Sequence, residues 1–68
     1  MYSLKHVEDD KSEKIVTAVS VSFDPKKNEL IGYGSPSADD GIIRFNTGHV
    51  YVMNEKGSTV GVYSLRAK

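Results

Sequence analysis

Few side chains in this sequence can do chemistry at neutral pH. There are two histidines, His6 and His49, no cysteine, and adjacent carboxylates at Asp9-Asp10 and Asp39-Asp40. His6 stands two residues before Glu8, a spacing that puts both side chains on one face of a strand. Zinc needs three or four convergent ligands, and the histidines fall in separate segments with no motif around either. His6 is therefore expected to be structural or solvated, and His49 to stack on Tyr63. Adjacent carboxylates on a strand point to opposite faces, and in loops they face water, so neither pair reads as an acid–base couple or a magnesium site. No nucleophile, base and orienting group assemble into a set. The chain reads as a non-enzyme with no metal and no cofactor.

Two further groupings suggest binding rather than catalysis. Gly32-Tyr33-Gly34-Ser35-Pro36-Ser37 offers glycines and hydroxyls that can cradle an anion on backbone N–H groups. It lacks the lysine and following helix of a phosphate loop, and Asp39 and Asp40 make its far end negative. Ser35, Ser37, Asp39 and Asp40 are thus the loop candidates for a small ligand or nucleotide held between subunits. Arg44, Tyr51, Tyr63, Arg66 and Lys68 can form the basic, aromatic surface on which small β-barrels stack single-stranded nucleic acid. Nine basic residues are balanced by nine acidic ones, and the missing basic excess argues against that reading.

These side chains must be positioned by strands. Turn residues are dense, and the segments between them are short and rich in β-branched and aromatic residues. Six strands are expected: Tyr2–Val7, Lys14–Phe23, Glu29–Gly34, Ile42–Phe45, His49–Asn54 and Val60–Leu65. In the second, Ile15, Thr17, Val19, Val21 and Phe23 alternate onto one face. Asp24-Pro25-Lys26-Lys27-Asn28 is a turn, with proline pre-setting φ and Asn28 able to go left-handed. Glu8 to Glu13 is a solvated, charged loop.

The last hairpin is the most specific. Asn54-Glu55-Lys56-Gly57 reads as a type I turn closing in a glycine bulge. That register sets Asn54 against Ser58, Val52 against Val60, Tyr51 against Gly61, Val50 against Val62 and His49 against Tyr63. One face then carries Val50, Val52, Val60 and Val62, and the other His49, Tyr51, Met53, Tyr63 and Leu65. Before it, a two-residue Thr47-Gly48 loop would pair Ile42–Phe45 with His49–Asn54, gather Ile43 and Phe45 with the valines and set Arg44 beside Tyr51. A three-residue loop with Gly48 left-handed reverses those faces, because a one-residue slip exchanges inside for outside.

Val19-Ser20-Val21-Ser22-Phe23-Asp24-Pro25-Lys26-Lys27-Asn28-Glu29-Leu30-Ile31-Gly32-Tyr33-Gly34-Ser35 resembles part of a β-propeller blade. The Trp-Asp pair and Gly-His start of that family are missing, and a propeller needs typically 4–8 four-stranded blades. The resemblance implies only a strand–turn–strand unit over about a quarter of the chain.

Sixty-eight residues make one small domain with a thin stability margin, for which oligomerisation is one remedy. No apolar run approaches the ~20 residues of a membrane span, and Met1 to His6 lacks the apolar stretch of a signal peptide, so a cytoplasmic location is expected. The expected fold is all-β, an antiparallel meander of five or six strands, barrel-like or a two-layer sandwich, with Gly32, Gly34 and Gly61 easing its curvature. The expected function is that of a stand-alone interaction module, of the kind found among phage and bacterial accessory or inhibitor proteins. It would bind another protein through Arg44, His49, Tyr51, Met53, Tyr63 and Leu65, and pair with itself through the face carrying Tyr51, Met53, Tyr63 and Leu65.

Overall fold

A computed structural model of the chain describes residues 1–65. It contains seven strands: β1 Tyr2–Val7, β2 Glu13–Ala18, β3 Ser20–Asp24, β4 Glu29–Tyr33, β5 Ile42–Phe45, β6 Gly48–Met53 and β7 Thr59–Leu65. The described residues form no helix, so none is long and apolar enough to cross a membrane. The strands make two antiparallel sheets, one ordered β2-β1-β6-β7 and the other β3-β4-β5, and they do not close into a barrel. The order is not a meander, because β1 pairs with β6 across most of the chain, Leu4 lying opposite Val52 and His6 opposite Val50.

All six expected segments are strands, and the seventh arises because the second is broken in the middle. Ala18 still pairs with Tyr2 of β1, whereas Ser20 pairs with Tyr33 of β4. Between them the Val19 amide donates to the Tyr33 carbonyl at 2.8 Å, so the backbone changes sheets at this residue. The corner also shifts the alternation by one. Val16 and Ala18 are buried before it and Val21 packs on the core after it, while Ile15 and Val19 are exposed. The single face expected for Ile15, Thr17, Val19, Val21 and Phe23 therefore does not exist.

The core lies between the sheets. Leu4, Val16, Ala18, Val50, Val52 and Leu65 come from the larger sheet and Leu30 from the smaller, with Val21, Ile43, Phe45 and Tyr63 packed around them. Strand β4 touches both β2 and β7, the two edges of the larger sheet, and so runs across it. A five-residue strand is about 17 Å long and four strands span about 14 Å, so one such strand suffices to cross. Gly32 allows the close approach at one end of the crossing. A β-carbon there would sit 2.8 Å from Ile43 Cγ1 and 3.2 Å from Ala18 Cβ.

The turns follow local chemistry. Asp24 Oδ1 accepts from the amides of Lys26 at 3.0 Å and Lys27 at 3.4 Å, and Asn28 is left-handed at φ 52°, giving the expected strand–turn–strand between β3 and β4. In the β6–β7 turn the Asn54 amide donates to Ser58 O at 2.9 Å and the Gly57 amide to Asn54 O at 3.0 Å, with Gly57 at φ 83°. The same pattern recurs where the sequence shows only a charged loop. The Glu8 amide donates to Ser12 O and the Lys11 amide to Glu8 O, both at 2.9 Å, and Lys11 sits at φ 69°. Asp10 Oδ1 accepts from the Ser12 hydroxyl at 2.7 Å and amide at 3.0 Å, and these bonds, the hydroxyl first, hold its carboxyl below the ordinary range.

Lysine thus occupies the position that glycine fills in the twin turn. A left-handed residue with a β-carbon is strained by about 1–2 kcal/mol. Lys11→Gly should raise stability by about 0.5–1 kcal/mol, part of the relief being lost to the greater freedom of glycine in the unfolded chain. Urea titration of the two proteins measures it, and an unchanged or lowered midpoint would contradict the equivalence of the two turns.

Candidate functional site

The expected turn at 54–57 is present, but the pairing beyond it is not the expected one. Met53 lies opposite Thr59 and Val52 opposite Gly61, so β7 carries one extra residue between those pairs. Such a bulge moves every later side chain of the strand to the other face. Val50 faces Tyr63 and Tyr51 faces Val62. The valine quartet is therefore split. Val50 and Val52 are buried in the core, whereas Val62, on the opposite face, is 57% exposed and Val60, the extra residue, is 56% exposed.

The predicted binding set is redistributed accordingly. Tyr51 and Met53 stay on the outer face of the larger sheet, half-buried opposite Val62 and Thr59. His49 is on that face too, its Nδ1 3.0 Å from Ser64 Oγ, and it does not stack on Tyr63. Tyr63 and Leu65 turn inward: Leu65 is fully buried, and the Tyr63 ring packs on Phe23 at 5.1 Å. Arg44 is nowhere near Tyr51. It lies on β5 opposite Ile31, with its Nε 3.7 Å from Glu29 Oε1. The expected pairing of β5 with β6 cannot form because both sides of β6 are taken, by β1 and β7. Ile43 and Phe45 nevertheless join Val50 and Val52 in the core, reaching it from the other sheet. Arg66 and Lys68 lie outside the described residues.

The loop candidates do not converge on a ligand position. Ser35 is buried, and its Oγ accepts from the Ser37 amide at 3.2 Å while its own amide donates to Gly41 O at 2.9 Å. Asp40 Oδ1 accepts from the Ile42 amide at 3.1 Å. Ser37 and Asp39 are exposed. The loop spends its polar groups on closing itself between β4 and β5.

One polar cluster was not legible in the sequence. His6, only 8% exposed, reaches across the end of the core to the β5–β6 connection. Its Nε2 lies 2.7 Å from the Thr47 carbonyl, which can only accept, so the ring carries hydrogen on Nε2. The same nitrogen is 3.3 Å from Glu8 Oε1, Thr47 Oγ1 donates to the Glu8 carboxylate at 3.3 Å, and Phe45 lies against the imidazole at 4.6 Å. With Nε2 donating and the threonine hydroxyl turned to the carboxylate, the cluster latches the connection onto β1. Only the two strands packed together bring these residues within reach. Among the described residues no three of His, Asp and Glu are grouped as a metal ion would require.

What remains open is the outer face of the larger sheet. Following the registers across it, one row reads Ile15, Lys5, Tyr51, Val62, and the row beside it Glu13, Val7, His49, Ser64. Lys5 and Glu13 pair at 3.1 Å, neutralising the one charged spot. Tyr51, Met53 and Val62 are the apolar residues at the β6–β7 end of this face, Thr59 lying opposite Met53; among the described residues no other element pairs over them, and Ile15, 64% exposed, lies beyond the lysine stem. No known family, curated protein or solved structure matches the chain.

Proposed function

We propose that this chain is a non-catalytic interaction module that docks an apolar, uncharged surface of another protein onto the outer face of its four-stranded sheet. The observation carrying this reading is the outward placement of Tyr51, Met53 and Val62. An antiparallel sheet that faces water on one side normally alternates polar residues outward. Here Val62 is more than half exposed at an outward position while the chain buries Val50 and Val52 of the same hairpin. Contiguous apolar surface of this kind marks interaction sites. The neutral net charge and the Lys5–Glu13 pair fit an uncharged partner surface better than a phosphate backbone. The absence of any assembled catalytic set in the sequence, and the self-closed 34–41 loop, support binding rather than turnover.

Comparative capture tests this. Tyr51→Glu/Met53→Glu is set beside wild type and beside Arg44→Glu, a change on the other sheet. Proteins retained by wild type and by Arg44→Glu should be lost from the face variant, with circular dichroism unchanged in all three. Equal retention by the face variant would overturn the assignment of the surface.

A further inference from the structure

We propose that the cleft between β3 and β7 binds a small uncharged aromatic molecule that carries a hydrogen-bonding group on its rim. This goes beyond docking on the outer face, because the cleft opens between the two sheets and is lined by none of Tyr51, Met53 and Val62.

The cleft follows from how the sheets meet. Strands β3 and β7 are free edges of different sheets. At one end Phe23 of β3 and Tyr63 of β7 bridge them, with ring centroids 5.1 Å apart. Toward Ser20 and Val60 they part, leaving a cleft of about 240 Å³. A cavity of about 150 Å³ accepts benzene, and drug-sized ligands occupy about 300–1,000 Å³. The space therefore suits one ring with a short substituent.

Its lining selects the chemistry. Val21 and Val52 supply an apolar wall, packed on or part of the core. Tyr2 shares the inward face of β1 with Leu4 and His6, and Tyr63 that of β7 with Leu65, so two aromatic side chains reach the cleft. The Tyr63 ring is already held. Its Cε2 lies 3.2 Å from the place of a β-carbon on Gly61, and Phe23 packs against it. A wall fixed before binding loses little freedom when a ligand arrives, and aromatic pairing adds to what area burial supplies.

Polar groups are present in the lining, but charges are not. Tyr2, Ser20 and Tyr63 bring three hydroxyls, each able to donate and accept, and none has a hydrogen-bond partner among the described residues. No Asp, Glu, Lys, Arg or His lines the cleft, so a charged ligand would lose water there without a counter-charge. An apolar wall with a few polar groups around it is the pattern of a small-molecule site.

Phenol is the probe, followed by amide NMR spectra. It should move the signals of Val21, Gly61 and Tyr63 saturably, at low-millimolar concentration or below, and leave those of Tyr51 and Met53 in place. Cyclohexanol keeps the hydroxyl without the aromatic ring, and benzoate keeps the ring with a charge. Each should bind more weakly by about ten-fold or more. Tyr63→Leu should weaken phenol binding by a similar factor. Because Tyr63 also packs on the core, Tyr2→Leu, at a position 36% exposed, repeats the test where the fold tolerates the change. Signals that move without saturating, movement centred on Tyr51 and Met53, equal binding of the three probes, or phenol affinity unchanged by Tyr2→Leu would overturn the site.

Discussion

Gly48→Ala should remove a large share of the domain's stability and melt well below Gly57→Ala. Gly48 opens β6 at φ 76°, a conformation that strains any residue bearing a β-carbon by about 1–2 kcal/mol. Strain is the smaller part. An added β-carbon would collide with the Val7 carbonyl oxygen and lie 3.2 Å from His6 Nε2. Neither neighbour can yield easily. Val7 is held in the ladder on both sides, by Glu13 and by His49, and His6 Nε2 is fixed by the Thr47 carbonyl. Relief of the clash must separate β6 from β1 or break the latch. Together the two effects should destabilise by about 2–5 kcal/mol. A domain of this length has roughly 3–10 kcal/mol in total, at 0.05–0.15 kcal/mol per residue. Gly57→Ala is the comparison, since Gly57 has a similar φ of 83° but nothing within 4 Å of the added carbon. It should lose only the strain, about 1–2 kcal/mol. Thermal melts of both variants separate clash from strain, and equal melting temperatures would show that the approach of β6 to β1 is misdescribed.

Val50→Asp should unfold the domain, and Val62→Asp should not. The two valines belong to one hairpin, yet Val50 is fully buried and Val62 is 57% exposed. A carboxylate at position 50 would sit among Leu4, Leu30, Val52 and Leu65 in the core, with no cation to pair with it. Burying an unpaired charge destabilises by about 4 kcal/mol or more. At position 62 the carboxylate faces water, and at dilutions where the chain is unassociated the change in folding stability should stay within about 0.5 kcal/mol. Near-ultraviolet circular dichroism and chemical denaturation give both values. Two unfolded variants would restore the unbulged register, with all four valines on the core face.

That contrast shows where the sequence stops being informative. The strands were legible because β-branched residues and turn residues punctuate the chain at short range. The turns at 24–28 and 54–57 were legible because proline, asparagine and glycine each supply a known backbone angle. The bulge after Ser58 leaves no such signature: Thr59 and Val60 are ordinary strand residues, and one extra residue among them decides which of Tyr51, Met53, Tyr63 and Leu65 face outward. The corner at Val19 is equally silent, because a β-branched residue suits a straight strand and a bent one alike. The 8–12 turn was hidden by its lysine, which takes a left-handed angle without advertising it. The latch of His6, Glu8 and Thr47 depends on β1 lying beside β6, a pairing between distant segments that local pattern does not encode. Of the expected binding residues, Tyr51, Met53 and His49 fall on the open face, and the alternation that placed them was correct within β6. Tyr63 and Leu65 were lost to the bulge, and Arg44 to the separation of β5 from β6.

The central claim is that this chain keeps an apolar sheet face outside its core, ready for a partner. The four valines of the terminal hairpin report on it directly. Methyl NMR spectra in the presence of a soluble paramagnetic chelate, taken at the lowest workable protein concentration, measure how closely solvent approaches each one. The methyls of Val60 and Val62 should be strongly relaxed, and those of Val50 and Val52, at 0% and 4% exposure, should be protected. Protection of all four at every dilution would mean that the face is covered within the single chain, and no docking surface would remain.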